Sequence, residues 1–292
     1  MHSFTIKDLE NLSGIKAHTI RVWEQRYSFL KPNRTDTNIR FYSNAELKKL
    51  LNVALLNKYG YKISFIDKMN EAEIKEKILS LNQSQAQQER IVNELIQDMV
   101  DLDIEQFEEV LDNYILSRGI EKTITQIIFP YLEKLGILWL TNHINPAQEH
   151  LVCNVIRQKL IVGIENTHSS VKIKRSVLLF LPEGEYHELG LLVMHYLLKS
   201  RGVSTIYLGS SVPLDDVEYI VRSKKPDHLY THLTSVSHKF NFDKFMGMVT
   251  KKFPGIPLII SGRVTQHYGK RIQQPVCFKR SFAEVLDFVS SL

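Results

Sequence analysis

Apolar residues recur every three or four positions through the first 166 residues, then condense into short apolar runs, and the two regimes predict different architectures. Leu9 and Leu12, preceded by Thr5 with Asp8 three residues on, predict a short helix over 5–13 that breaks at Ser13-Gly14. A second helix follows from about Lys16 to Arg26. Residues 30–42 are rich in turn formers, with alternating Ile39 and Phe41, and predict a small β wing. Ser43-Asn44-Ala45-Glu46 reads as a capping box for a third helix through Leu47, Leu50, Leu51, Ala54 and Leu55.

The polar run Asn82–Gln88 has little apolar periodicity and predicts a linker over 76–88. Beyond it, four stripes predict four helices, carried by Ile91/Leu95/Met99, Phe107/Leu111, Ile124/Ile127/Tyr131/Leu135 and Leu151/Val155/Leu160. Gly136 is expected to end the third, leaving Trp139 in a loop, and Asn145-Pro146-Ala147-Gln148 to cap the fourth. Similar lengths and short connections predict a four-helix bundle over 89–168. From Lys172 the chain alternates strands (176–181, 204–208, 227–234, 257–261, 276–280) with helices. That pattern predicts a flavodoxin-like doubly wound parallel sheet over 172–292.

Charge sharpens these boundaries. The net formal charge is +6 over residues 1–70, −8 over 71–170 and +7 over 171–292. The overall class is thus multidomain α and α/β, and the basic head suits a phosphate-bearing partner such as DNA, because Lys and Arg displace its counterions. No apolar run reaches membrane-spanning length and no signal peptide is apparent, and the two distant cysteines give no disulfide frame or zinc spacing. A reduced cytoplasmic protein without membrane contact is expected.

Two short helices across a glycine turn form a helix-turn-helix pattern. His18 and Thr19 fall at the front of its second helix, where base edges are reached, while Arg21, Arg26, Arg34 and Arg40 supply cations from that helix and the wing. Trp23 is read as core. Gly14, Thr19, Ile20, Arg21, Trp23, Glu24, Arg26, Pro32, Arg34, Arg40, Tyr42 and Ser43 together resemble the MerR-type winged helix-turn-helix head over residues 1–75. The resemblance implies a double-stranded operator, a homo-oligomer (dimer or tetramer), and DNA contacts from His18, Thr19, Arg21, Arg26, Arg34, Arg40 and Tyr42.

The loop after the first strand of the sheet, Pro182 to Gly190, carries one imidazole, three carboxylates and two glycines at an edge where open α/β sheets bind ligands. Glu185-x-His187-x-x-Gly190 resembles the D/E-x-H-x-x-G signature of cobalamin-binding domains. Trp139 followed nine residues later by Glu149-His150 is similar to the helical cap of the CarH/LitR type of light-responsive repressors. The resemblance implies that His187 ligates cobalt as lower axial ligand. It further implies that Trp139, Glu149 and His150 cap adenosylcobalamin, and that Glu185, Gly190, Thr231 or His232, Ser261 and Gly262 line the cofactor.

Three departures stand out. His232 occupies the place of an expected serine, Ser261-Gly262 replaces Gly-Gly, and Leu140 stands where the light-responsive relatives carry a histidine; His143 is a substitute only if its loop bends inward. The expected function is a DNA-binding transcriptional regulator, a repressor, that senses adenosylcobalamin and light through a change of oligomer. The alternative is a cobalamin-independent regulator of the same build controlled by a protein partner. A cobalamin enzyme or methyl carrier is disfavoured, since the chain offers no further domain for a substrate.

Overall fold

A computed structural model describes residues 4–140, 144–234, 240–270, 272 and 274–292, with the side chains of Ile137, Trp139, Leu140 and His267 outside the description. The chain divides into two compact units, Met1–Val155 and Ile156–Leu292.

The first unit opens with α1 (Ile6–Ser13) and α2 (Ala17–Arg26), the minimal hairpin β1 (Asn33–Arg34) and β2 (Arg40–Phe41), then α3 (Asn44–Lys58) and α4 (Ile63–Ile66). Thr5 and Ser43 form the two capping boxes that their spacing predicts, with Asp8 and Glu46 returning the hydrogen bond. Gly14 takes φ +74°, the left-handed turn between the first two helices, where a side chain would be strained. Leu9, Leu12, Ile20, Leu47, Leu50 and Leu51 form the core of the head, none more than 2% exposed.

The expected linker is mostly helix. α5 (Glu71–Leu79) is opened by an Asn70/Glu73 capping box and buries Ile78, and α6 (Ser84–Asp101) begins inside the polar run. After α6 come α7 (Ile104–Arg118), α8 (Ile120–Thr123), a π-helical turn, Ile124–Ile128, and α9 (Phe129–Leu140). The head is bound closely to these helices: α1 packs on α9 as well as on α3, Lys58 pairs with Glu89 at 2.6 Å, and Asn44 Nδ2 donates to Asp101 Oδ1 at 3.1 Å. Head and bundle therefore share one unit.

The π-helical turn stands where Pro130 has no N–H for the Gln126 carbonyl, a regular cause of a helix irregularity. α9 runs through Gly136 to Leu140, so Trp139 lies on the helix and not in a loop. α10 (Pro146–Glu165) starts as its sequence dictates: Asn145 Oδ1 accepts from Ala147 N at 2.9 Å, and Asn145 N donates to Gln148 Oε1 at 3.0 Å. Gln148 Nε2 then donates to the carbonyls of Met99 and Val100, tying the start of α10 to the end of α6. Tyr131 is buried among these helices, its hydroxyl against Met99 Sδ.

The second unit holds β3 (Ile173–Pro182), α11 (Leu189–Ser200), β4 (Val203–Val212), α12 (Leu214–Lys224), β5 (His228–His232), α13 (Phe242–Lys252), β6 (Leu258–Ser261), α14 (Arg263–His267), β7 (Val276–Lys279) and α15 (Phe282–Ser291). Among the described residues its five strands are all parallel, in the order β4-β3-β5-β6-β7. This is a flavodoxin-like doubly wound arrangement, and its order reverses between β3 and β5. One face of the sheet presents Leu178, Phe180, Leu229, Leu233, Leu258 and Ile260 to residues of α12 and α13. Because side chains alternate along a strand, Tyr230, His232 and Ser261 point to the opposite face.

Candidate functional site

Among the described residues, two places concentrate chemistry, one in each unit. In the head, Ile20 and Trp23 turn inward from α2, and Trp23 meets Phe29 edge-on at 6.0 Å. The residues around them point outward: His18, Arg21 and Arg26 are exposed, and Thr19 is half-buried. On the hairpin Arg34 is exposed, and its Nη1 donates to Asn38 Oδ1 at 2.6 Å, bracing the tight turn where Asn38 takes φ +67°. Arg40 is partly withdrawn, its Nε donating to Glu24 Oε2 at 3.0 Å.

Tyr42 departs from the sequence expectation. It is wholly buried, and its hydroxyl donates to Glu24 Oε1. Burial and the adjacent Glu24 carboxylate hold the phenol well above its usual range. Tyr42 therefore serves the fold: together with Arg40 it locks Glu24, and thereby α2, to the wing. No local pattern signals this role, because Glu24 lies 18 residues from its tyrosine partner. The exposed cations of α2 and the hairpin form a face able to bind backbone phosphates, and His18 leads the helix.

In the second unit, β3 delivers the loop Glu183–Glu188 to the carboxyl edge of the sheet. Gly184, at φ +85°, makes the turn, and Glu185 N donates back to Pro182 O at 2.9 Å. The end of β4 fixes the loop from the side: Ser211 N donates to Glu185 O at 3.0 Å, and Ser211 Oγ accepts from Gly184 N at 3.2 Å. Ser211 escapes sequence reasoning because it lies 27 residues from its partner. The Glu185 side chain is thereby pinned inside, 1% exposed, with Oε1 accepting the His187 backbone N–H at 2.9 Å and standing 2.6 Å from His187 Nδ1. Among the described residues, Glu185 Oε2 is buried without a hydrogen-bond partner. The His187 side chain is 40% exposed. A carboxylate on Nδ1 fixes the ring and leaves the metal-binding role to Nε2, the arrangement that tunes ligating histidines.

Beside this loop, His232 at the end of β5 sets Nδ1 2.8 Å from the Ser261 Oγ of β6, its partner in the sheet register. Ser261 is itself fixed by the Tyr230 hydroxyl at 2.5 Å. Burial depresses the His232 pKa to about 4, with the nearby Glu185 opposing and His187 reinforcing the shift. Gly190, on the first turn of α11, lies directly against this ring: a Cβ there would meet His232 Cδ2 at 2.3 Å and Nε2 at 2.4 Å. Gly262, at φ +93°, packs its backbone on the Leu233 carbonyl.

The structure thus brings Glu185, His187, Gly190, His232, Ser261 and Gly262 to one corner of the sheet. Thr231 is not among them. It is buried between Leu229 and Leu233 on the α12/α13 face, its hydroxyl without a hydrogen-bond partner among the described residues, so His232 and not Thr231 meets the loop. In the first unit Glu149 is buried and His150 exposed on the first turn of α10. The side chains of Trp139 and Leu140, and all of His143, lie outside the described residues.

Residues 4–73 match the MerR HTH family of regulatory proteins, and residues 91–162 match the B12 binding domain. The chain is 26% identical over 283 residues to the HTH-type transcriptional repressor CarH of Myxococcus xanthus, covering 94% of this chain and 92% of that protein. It is 25% identical over 269 residues to the repressor CarA of the same organism, covering 91% and 89%. In fold it is similar to the monomethylamine corrinoid protein of Methanosarcina barkeri, with a TM-score of 0.54 at 15% identity over 70% of this chain and 99% of that one.

Proposed function

We propose that this chain, which joins a MerR-type helix-turn-helix head to a B12 binding domain, is a transcriptional repressor that senses adenosylcobalamin. The observation that carries the reading is the buried Glu185 carboxylate fixing the His187 imidazole on a loop at the carboxyl edge of a parallel sheet. These residues fit a corrinoid. His187 would ligate cobalt through Nε2, and Glu185 would hold the ring's tautomer and direction. The buried Oε2 of Glu185, without a hydrogen-bond partner among the described residues, stands in the same corner. When bound, the cofactor supplies a cobalt–carbon bond that light can break. The protein's own part is to bind, orient and shield it, with Glu149 and His150 at the start of α10 and Trp139 on α9 as the capping group.

DNA binding rests with His18, Thr19, Arg21, Arg26, Arg34 and Arg40. Ligand binding is coupled to DNA binding through the oligomeric state, because linking several weak heads raises occupancy without new contacts. No reaction is catalysed, and the protein works in the cytoplasm. The test is selection of a binding sequence from random duplex DNA with and without adenosylcobalamin, in the dark and after illumination, alongside size-exclusion chromatography. A selected sequence whose affinity and bound oligomer both respond to the cofactor supports the reading. Equal DNA binding and equal size under all conditions would overturn it in favour of control by a protein partner.

A further inference from the structure

The corner that holds His187 also contains a side chain that occupies space beside it. His232 closes the crevice between β5, β6 and α11, with its ring against the bare Gly190 backbone and its Nδ1 on Ser261 Oγ at 2.8 Å. His232 ends β5, one of the two strands between which the strand order reverses, at the carboxyl edge where open α/β sheets admit ligands. Glu185, pinned in the same corner, has its Oε2 buried without a hydrogen-bond partner among the described residues. Two observations converge: a filled slot backed by glycine, and in the same corner a buried acceptor to which no described residue donates.

We propose that His232 is a displaceable plug, which must leave the Gly190 crevice before any appendage below the corrin ring can enter, so that this chain discriminates corrinoids by their lower tail. The proposal rests on the cobalamin reading and concerns a residue at which this chain departs from the expected serine. Ser261 and Tyr230 act as the latch: they hold the imidazole when the slot carries no ligand, and their hydroxyls are left for the incoming group when it swings out. A corrinoid that lacks the nucleotide tail asks nothing of His232, and binds through His187 alone.

The experiment titrates the full-length protein and its His232→Ser variant with hydroxocobalamin and with cobinamide, which has no nucleotide, following absorbance and stopped-flow rates. His232→Ser is expected to tighten cobalamin binding about tenfold, the equivalent of one buried hydrogen bond no longer broken. Cobinamide binding is expected to stay within about twofold on the same scale. A ligand-free readout accompanies it: Gly190→Ala lowers the melting temperature of the wild-type chain, and the loss disappears in the His232→Ser background. His232→Asn serves if the serine variant does not fold. An unchanged cobalamin-to-cobinamide ratio, with both corrinoids binding, overturns the plug and leaves the cobalamin reading intact. Failure of both corrinoids to bind either protein overturns the cobalamin reading and the plug together.

Discussion

Glu24 holds two partners at once, the Tyr42 hydroxyl and the Arg40 guanidinium, while only 6% of its own side chain is exposed. Removing the phenol oxygen strands part of a buried carboxylate, so Tyr42→Phe is expected to cost about 1–3 kcal/mol in urea denaturation. Arg21→Ala acts differently: it leaves stability unchanged, weakens DNA binding, and lowers the slope of log affinity against log salt by about one. Measuring both quantities for both variants separates the residue that builds the head from the residue that touches DNA. Asp98, half-buried on α6, gives a pH signature. Burial, then Glu94, Asp103 and Asp101, raise its pKa from 3.8 to about 7, against the pull of Lys48. Its Oδ2 has no hydrogen-bond partner among the described residues. A native pKa above the unfolded one means the folded state keeps the proton longer, so this group lowers stability as pH rises from 3.8 to about 7 and changes nothing further above that. Asp98→Asn should therefore be more stable than wild type at pH 8, with the gap closing toward pH 4, in thermal melts across that range.

At the scale of elements, legibility follows sequence distance. The Thr5/Asp8, Ser43/Glu46 and Asn145/Gln148 caps are readable because each is settled within four residues. The five strands are readable because each centres on two to five adjacent apolar residues, at 177–181, 206–208, 229–230, 258–260 and 276–278. α5 falls partly within the expected linker although its Asn70/Glu73 box is present in the sequence; a polar surface and a single inward residue hide it. Ile78, 7% exposed, is that residue. Ile78→Ala is expected to cost about 2 kcal/mol, the low end for a buried aliphatic truncation, and to speed amide exchange across Glu71–Leu79; a true linker would respond to neither. Gly136 misleads in the other direction: a glycine tolerated inside α9 looks like its stop, which displaces Trp139 from helix to loop.

For the whole molecule, the order of domains is legible from the change of hydrophobic period and from the basic–acidic–basic distribution of charge. The union of head and bundle in one unit is not, because it rests on α1 meeting α9 more than a hundred residues away. The same holds at the candidate site. The Glu185–His187 pair is local and visible, whereas the seat of His232 depends on Ser261 and Gly190, 29 and 42 residues distant. Sequence spacing leaves Thr231 and His232 as equals, and only the two-sidedness of the strand separates them. Sensing, in every form proposed above, hangs on His187 binding a corrinoid. The most direct measurement is an absorbance titration of the full-length protein with adenosylcobalamin in the dark, run beside His187→Ala. The wild-type chain is predicted to give a saturable spectral change that the variant loses; no change with wild type, or the same change with both, would contradict that claim.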